Sequence, residues 1–203
     1  MAPSKSTLQQ HCLTYDEYLR EGELRADDWE TIYTYCSHPS VRRDILPRSS
    51  TVEGTRDLVR IAAAHSAKNP RTYFALGIVL ASEDRLIGTC CLDNVTPYGV
   101  ASIGWDLNHN YWGRGYMTEA ARAMTEFAFK RCGVLWICAD CFMGNKASVR
   151  VMEKIGMRRH DLPLLDEVRM ACHYRVFHRI VRHCISIANW EIMERSRSQS
   201  NRT

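Results

Sequence analysis

Residues 100–132 read VASIGWDLNHNYWGRGYMTEAARAMTEFAFKRC, and the order of elements in this stretch decides the fold. Residues 100–107 form a β-prone run that ends in a polar corner, Asn108-His109-Asn110. A short loop follows with two glycines, Trp112-Gly113-Arg114-Gly115-Tyr116. From there apolar residues recur at Met117, Ala120, Ala121, Met124, Phe127 and Ala128, spacings of three and four that mark one face of a helix. Thr118 and Glu119 suit its first turn, and Lys130 and Arg131 its last. Two glycines ahead of a helix let the backbone approach a ligand closely. The unpartnered amides of the first helical turn, with the helix dipole, then favour an anion such as phosphate. Two familiar phosphate patterns do not fit. No Gly-Lys-Ser/Thr follows the loop, and no third glycine stands at the dinucleotide-binding spacing.

Downstream, Gly133 stops the helix and residues 134–142 read as another strand. Strand, helix, strand implies a parallel crossover. Asn145 then caps a helix with Val149, Met152 and Ile155 inward, closed by Gly156. Upstream, residues 72–80 and 86–92 read as strands joined by the turn Ser82-Glu83-Asp84-Arg85, and with 100–107 they suggest an antiparallel meander. Helices are expected from Asp27 or Asp28 to about Cys36 and from Thr55 to about Lys68, the second with Leu58, Ile61, Ala62 and His65 on one side. The fold class is therefore mixed α/β: a central sheet, antiparallel on its N-terminal side, with one parallel pair whose crossover splays the two strands around a slot. Residues 1–22 are expected to be a partly disordered extension, 23–193 one domain, and 194–203 a disordered tail.

Ile103-Gly104-Trp105, followed by Tyr111-Trp112-Gly113-Arg114-Gly115-Tyr116-Met117-Thr118-Glu119-Ala120, resembles the acetyl-CoA loop of the GNAT N-acetyltransferases. It is most similar to the branch of the ribosomal-protein alanine acetyltransferases (RimJ/RimL-like). Residues 145–157, NKASVRVMEKIGM, resemble that branch's second CoA-contacting segment. The resemblance spans roughly residues 25 to 180. It implies a GNAT fold, acetyl-CoA as acyl donor and an amine as acceptor, with the cofactor in the slot between the splayed strands.

Acetyl transfer to an amine needs a held donor, a neutral amine, hydrogen-bond donors for the developing oxyanion, and a proton for the leaving thiolate. The resemblance implies that the amides of Arg114 to Thr118 hold the pyrophosphate and that the edge of strand 105–108 pairs with the pantetheine arm, so that Leu107, Asn108, Trp112, Gly113, Arg114, Gly115, Tyr116, Met117 and Thr118 are the cofactor-binding residues of this region. A backbone amide near Leu107 is the implied oxyanion donor. Asn145 resembles the family's pantetheine-binding asparagine and is equally an ordinary helix cap. Many members carry a tyrosine seven residues after it, but Met152 stands there, so Ser148 becomes the implied thiolate donor, with Tyr111, Tyr174 and Tyr98 as fallbacks. The family's frequent strand glutamate is replaced by Ser102, which leaves Asp106 and Asp93 as candidate general bases and a water chain as the other route. Met117, where glycine or alanine is usual, either crowds the pyrophosphate or packs into the core. His109 is expected to be exposed near the cofactor. The acceptor pocket should be built by residues 29–66, 93–99 and 158–175, whose mixed charges fix no acceptor charge.

The remaining composition narrows the classes. The 203 residues are 45% hydrophobic and 25% charged, enough for one domain with its own core. A net charge of +4 without a basic, aromatic-studded stripe argues against nucleic acid. The polar start MAPSKSTLQQ and the lack of a long apolar run point to a cytoplasmic protein with no membrane partner, monomeric or homodimeric, its nine cysteines reduced. Cys138 and Cys141 form a C-x-x-C, but residues three apart on a strand face opposite ways, so no metal is expected there. His173, His178 and His183 recur every five residues and are read as solvated or core positions. A catalytically inactive CoA-binding sensor or interaction module is the alternative function, motivated by Ser102, Met117 and Met152. For an enzyme, activity should rise with pH as the acceptor amine loses its proton.

Overall fold

The computed structural model describes residues 13–14, 19–160 and 180–200. The fallback Tyr174, His173 and His178 lie outside these residues, as does most of the 158–175 wall expected for the acceptor pocket. Strands β1 (Leu13–Thr14) and β2 (Leu19–Glu23) lead into helices α1 (Asp28–Cys36), α2 (Pro39–Arg42) and α3 (Val52–Ser66). The meander β3 (Phe74–Leu80), β4 (Arg85–Asp93) and β5 (Val100–Leu107) follows. Then come α4 (Tyr116–Arg131), β6 (Trp136–Phe142), α5 (Lys146–Lys154), β7 (Arg158–His160), β8 (Ile180–Ser186) and α6 (Ile187–Ser200).

One sheet runs β1-β2-β3-β4-β5-β6-β8-β7. All neighbours are antiparallel except β5 and β6, the parallel pair joined through α4. The alternation of each strand loads both faces. On one, Leu76, Ile78, Ile87, Leu92, Ile103 and Ile137 meet Ala121, Met124 and Phe127 of α4, Met152 of α5 and Trp190 of α6. On the other, Ala75 and the partly buried Tyr73, Leu86 and Cys91 meet Ile32, Tyr35 and Cys36 of α1 and Val59 and Ala62 of α3. Two half-polar strand faces covered by two helical layers give the architecture that the pattern predicts.

Four details correct the sequence reading. Helix α3 starts upstream of Thr55, because Thr51 caps it: its Oγ1 accepts from Gly54 N at 3.0 Å. Its inner face is then Thr55, Val59 and Ala62, and Ile61 points outward. A Thr51→Ala variant should lose about 1 kcal/mol of stability, a fall of roughly 2–4 °C in Tm for a domain of this size. An unchanged melting curve would remove the cap from the account. At the other end, residues 194–200 are helical in α6 rather than an unstructured tail. Residues 19–22, assigned to the extension, lie in β2, paired with β3. Finally, Cys138 and Cys184 face each other across the β6–β8 ladder, Cα atoms 4.2 Å apart, and form a disulfide. Five described cysteines remain free thiols, so the expectation of nine reduced cysteines does not hold.

Candidate active site

The glycine loop has the backbone the motif demands. Gly113 (φ +77°) and Gly115 (φ +89°) are both left-handed, a region that L side chains enter only with strain. A Cβ at either would meet nothing within 4 Å, so the glycines answer to backbone shape and leave open space above the loop. Gly115 is the N-cap of α4, and no side chain caps that end. The first-turn amides therefore point out of the helix without a protein acceptor built for them. The Met117 side chain is 6% exposed and sits in the core, so it does not crowd the loop. Arg114 is exposed, its guanidinium 5.7 Å from the Tyr111 ring centre. Trp112 Nε1 donates to Leu107 O at 2.9 Å and closes the corner between β5 and the loop. Asn108 Oδ1 accepts from Asn110 N at 3.1 Å, which commits that side chain to the same corner.

The slot lies beside this corner. The β5–β6 ladder comprises three pairs, Val100, Ala101 and Ser102 with Trp136, Ile137 and Cys138. Beyond it β6 pairs with β8 along its whole length, and residues 103–107 of β5 have no β6 partner. The strands part, and one edge of β5 is left open toward the gap. Helix α5 begins where β6 ends. Asn145 Oδ1 accepts from Ser148 N at 2.9 Å, so Asn145 is an N-cap. The Ser148 Oγ takes part in no hydrogen bond among the described residues.

The face of β5 turned toward α1 carries Ser102, Gly104 and Asp106. Gly104 is exposed, with nothing within 4 Å of a built Cβ, which makes a bare floor in mid-strand. Asp106 Oδ1 accepts from Tyr35 Oη at 2.5 Å and Oδ2 from Thr89 Oγ1 at 2.7 Å. Burial raises the Asp106 carboxyl above its usual range, while the two hydroxyls pull it back down. Asp93 stands opposite Ser102 in the β4–β5 register, and Asn94 Nδ2 donates to its Oδ1 at 2.9 Å. Burial raises its carboxyl too. The two carboxylates thus flank Gly104, one toward each end of β5.

Two of the fallback tyrosines, Tyr111 and Tyr98, are placed elsewhere. Tyr111 Oη donates to Glu83 Oε2 at 3.2 Å and accepts from Arg85 Nη1 at 3.4 Å, on a residue 7% exposed. Tyr98 precedes the start of β5, a strand length of about 25 Å from the Leu107 corner. His109 is not exposed: its ring stacks on His38 with centroids 3.7 Å apart, and its Nδ1 is buried. His183 is a core position at 4% exposure. Sequence reasoning missed Tyr35 and Thr89. The only signal for Tyr35 was its place on the inner face of α1, one turn from Ile32. Among the described residues, no group of three or more His, Cys, Asp or Glu side chains could hold a metal. No described helix is long and apolar enough to cross a membrane.

The family model for the GNAT acetyltransferase domain matches residues 19–158. The chain belongs to the GNAT acetyltransferase family. It is similar to the uncharacterized N-acetyltransferase YnaD of Bacillus subtilis, 34% identical over 149 residues that cover 73% of this chain and 83% of that protein. The crystal structure of a GNAT-family acetyltransferase from Bacillus anthracis superposes with a TM-score of 0.68 at 27% identity, covering 86% of this chain and 98% of that one. RimJ of Mycobacterium smegmatis, solved with a CoA disulfide, shares the fold at 15% identity and a TM-score of 0.68, over 84% of this chain and 82% of that one. The matched residues include the glycine loop, the parted strands and α5, and the enzyme is an acetyltransferase of the GNAT type.

Proposed function

We propose that the enzyme transfers an acetyl group from acetyl-CoA to a primary amine, of a small molecule or a protein N-terminus, by direct attack in a ternary complex. The observation that carries the reading is the parted β5–β6 pair, an open strand edge running into an uncapped, glycine-led helix. This arrangement fits a long cosubstrate with an amide-bearing arm and a pyrophosphate. Acetyl-CoA, when bound, supplies the acyl group as an activated thioester. The amides of residues 113–118 hold its phosphates, with Arg114 adding charge from the side. The β5 edge at Leu107 and Asn108 holds the pantetheine arm, and the Leu107 amide serves as hydrogen-bond donor to developing negative charge. Asn145 keeps its capping bond and uses its remaining amide valences on the arm. Ser148, with its hydroxyl unengaged among the described residues, gives a proton or hydrogen bond to the leaving thiolate, and Asp106 or Asp93 receives the proton of the amine.

Melting with and without acetyl-CoA tests the first half. At a hundredfold excess over Kd, binding adds about 2.7 kcal/mol, which raises Tm by roughly 5–10 °C for a domain of this size. Thiol release with a panel of primary amines (an alanyl peptide, a diamine, an amino sugar) tests the second. No thermal shift sinks the reading. A shift with no thiol release from any amine moves it to the CoA-binding sensor, the reading that Ser102 in place of a strand carboxylate favours.

A further inference from the structure

The Asp106 carboxylate is inserted between α1 and the sheet, and the described residues that face it are uncharged. From α1 come Tyr35, 2% exposed, and Cys36, 1% exposed; from β4 come Thr89, fully buried, and Cys91; from the lead-in to β3 comes Tyr73. Burial pushes the Tyr35 and Tyr73 phenols and the Cys36 thiol well up, and the Cys91 thiol up to about 12, so none of these groups carries charge in the neutral range. Asp106 has no cationic partner among the described residues, whereas Asp140 of β6 holds Arg182 through two bonds of 2.8 Å. A carboxylate withdrawn from water without a counter-charge is costly, and the usual remedy is protonation. Here two buried hydroxyls oppose that remedy, because each hydrogen bond favours the ionised form. A carboxylate has about four lone-pair sites. The two hydroxyls and the Thr89 backbone amide together leave a lone-pair site on the carboxylate beside the bare floor at Gly104.

We propose that Tyr35 is a positioning residue: with Thr89 it keeps Asp106 anionic and aimed beside Gly104, so that the acceptor enters as an ammonium ion. The inference rests on the acetyltransferase reading and extends it to the acceptor. The ammonium supplies the counter-charge that the described residues do not. Its proton passes to a free lone pair of Asp106, leaving a neutral amine with its electron pair available and a neutral carboxylic acid. Both hydroxyls then donate to an uncharged carboxyl, a weaker interaction, which favours return of the proton to solvent after turnover.

The test is a pair of titrations on wild type, Tyr35→Phe and Asp106→Asn. Carboxyl carbon NMR follows the Asp106 resonance in the free enzyme, assigned by its disappearance in Asp106→Asn. Thiol release gives kcat/KM against pH with the best amine of the panel. Tyr35→Phe removes one hydrogen bond to the anion, so the Asp106 midpoint should rise by about one pH unit, and the acidic limb of the rate profile should move up with it. The thermal shift with acetyl-CoA should be unchanged, since Tyr35 lies on the far side of the sheet from α4. Asp106→Asn should lose that limb and lower kcat by roughly a hundredfold. Wild-type turnover with an unmoved midpoint in Tyr35→Phe overturns the inference alone. No thiol release by the wild type with any amine overturns the acetyltransferase reading and this inference with it.

Discussion

Gly115→Glu is expected to fold and to lose the whole thermal shift given by acetyl-CoA. The residue sits at φ +89° as the N-cap of α4, and a Cβ there meets no atom within 4 Å. No clash therefore opposes the substitution inside the protein. The cost to the fold is the left-handed backbone, about 1–2 kcal/mol, or a fall of several degrees in Tm. The cost to binding is larger. A carboxylate would stand at the mouth of the uncapped helix, where the amides and the dipole otherwise attract phosphate, and would occupy the site with its own charge. The stabilisation of about 2.7 kcal/mol at a hundredfold excess of ligand should vanish. Gly115→Ala separates the two effects. It carries the same backbone strain and no charge, so its Tm should fall by a similar amount while most of the ligand shift survives. A Gly115→Glu protein that is still stabilised by acetyl-CoA would place the cosubstrate away from this loop.

The parts of the site that were legible in the sequence are those whose signal is local. The three- and four-residue spacing from Met117 fixed α4 to within one residue at each end, because glycine bounds it on both sides. The run at 100–107 was read at its observed limits, since a polar corner and a glycine enclose it. The cap at Asn145 was visible for the same reason. Pairings between distant residues were not legible. Tyr35 and Asp106 are 71 positions apart, and Cys138 and Cys184 are 46 apart; the first pair is made by the packing of α1 on the sheet and the second by the β6–β8 ladder, and neither by anything in its own neighbourhood. The start of α3 was missed because Thr51 lies in a stretch rich in proline, serine and arginine that reads as loop. The C-terminal helix shows tertiary context overriding composition. Its polar end looks unstructured in sequence. Its first turns are anchored by Trp190 against Phe129 and by Met193 near Gly156, and Glu194 makes an ion pair with Arg122. The fate of Met117 could not be read either, because spacing alone places a side chain on a helix face without saying how much room that face has.

Ser148→Ala should leave acetyl-CoA binding intact and lower kcat by roughly a hundredfold, the lower end of the range for a lost general acid. The amide and the hydroxyl of this residue have separate surroundings. Its amide is the hydrogen-bond partner of Asn145 Oδ1, a bond that alanine keeps, so the cap and the helix should survive. Its hydroxyl engages nothing among the described residues, so removing it breaks no bond that holds the fold. Of the other hydroxyls considered for the same task, Tyr111 is committed to Glu83 and Arg85 and Tyr98 stands at the far end of β5, while Tyr174 lies outside the described residues. Met152, where a tyrosine is frequent, is 1% exposed in the core and has no proton to give. Among the described residues, a thiolate leaving beside α5 would then have Ser148 or water as its donor. If Ser148 acts, the loss should fall on kcat, with KM for acetyl-CoA little changed, and Ser148→Thr should recover part of the rate because it restores a hydroxyl. If water acts, Ser148→Ala will turn over at the wild-type rate, and the proton will have to be traced through the gap between the parted strands.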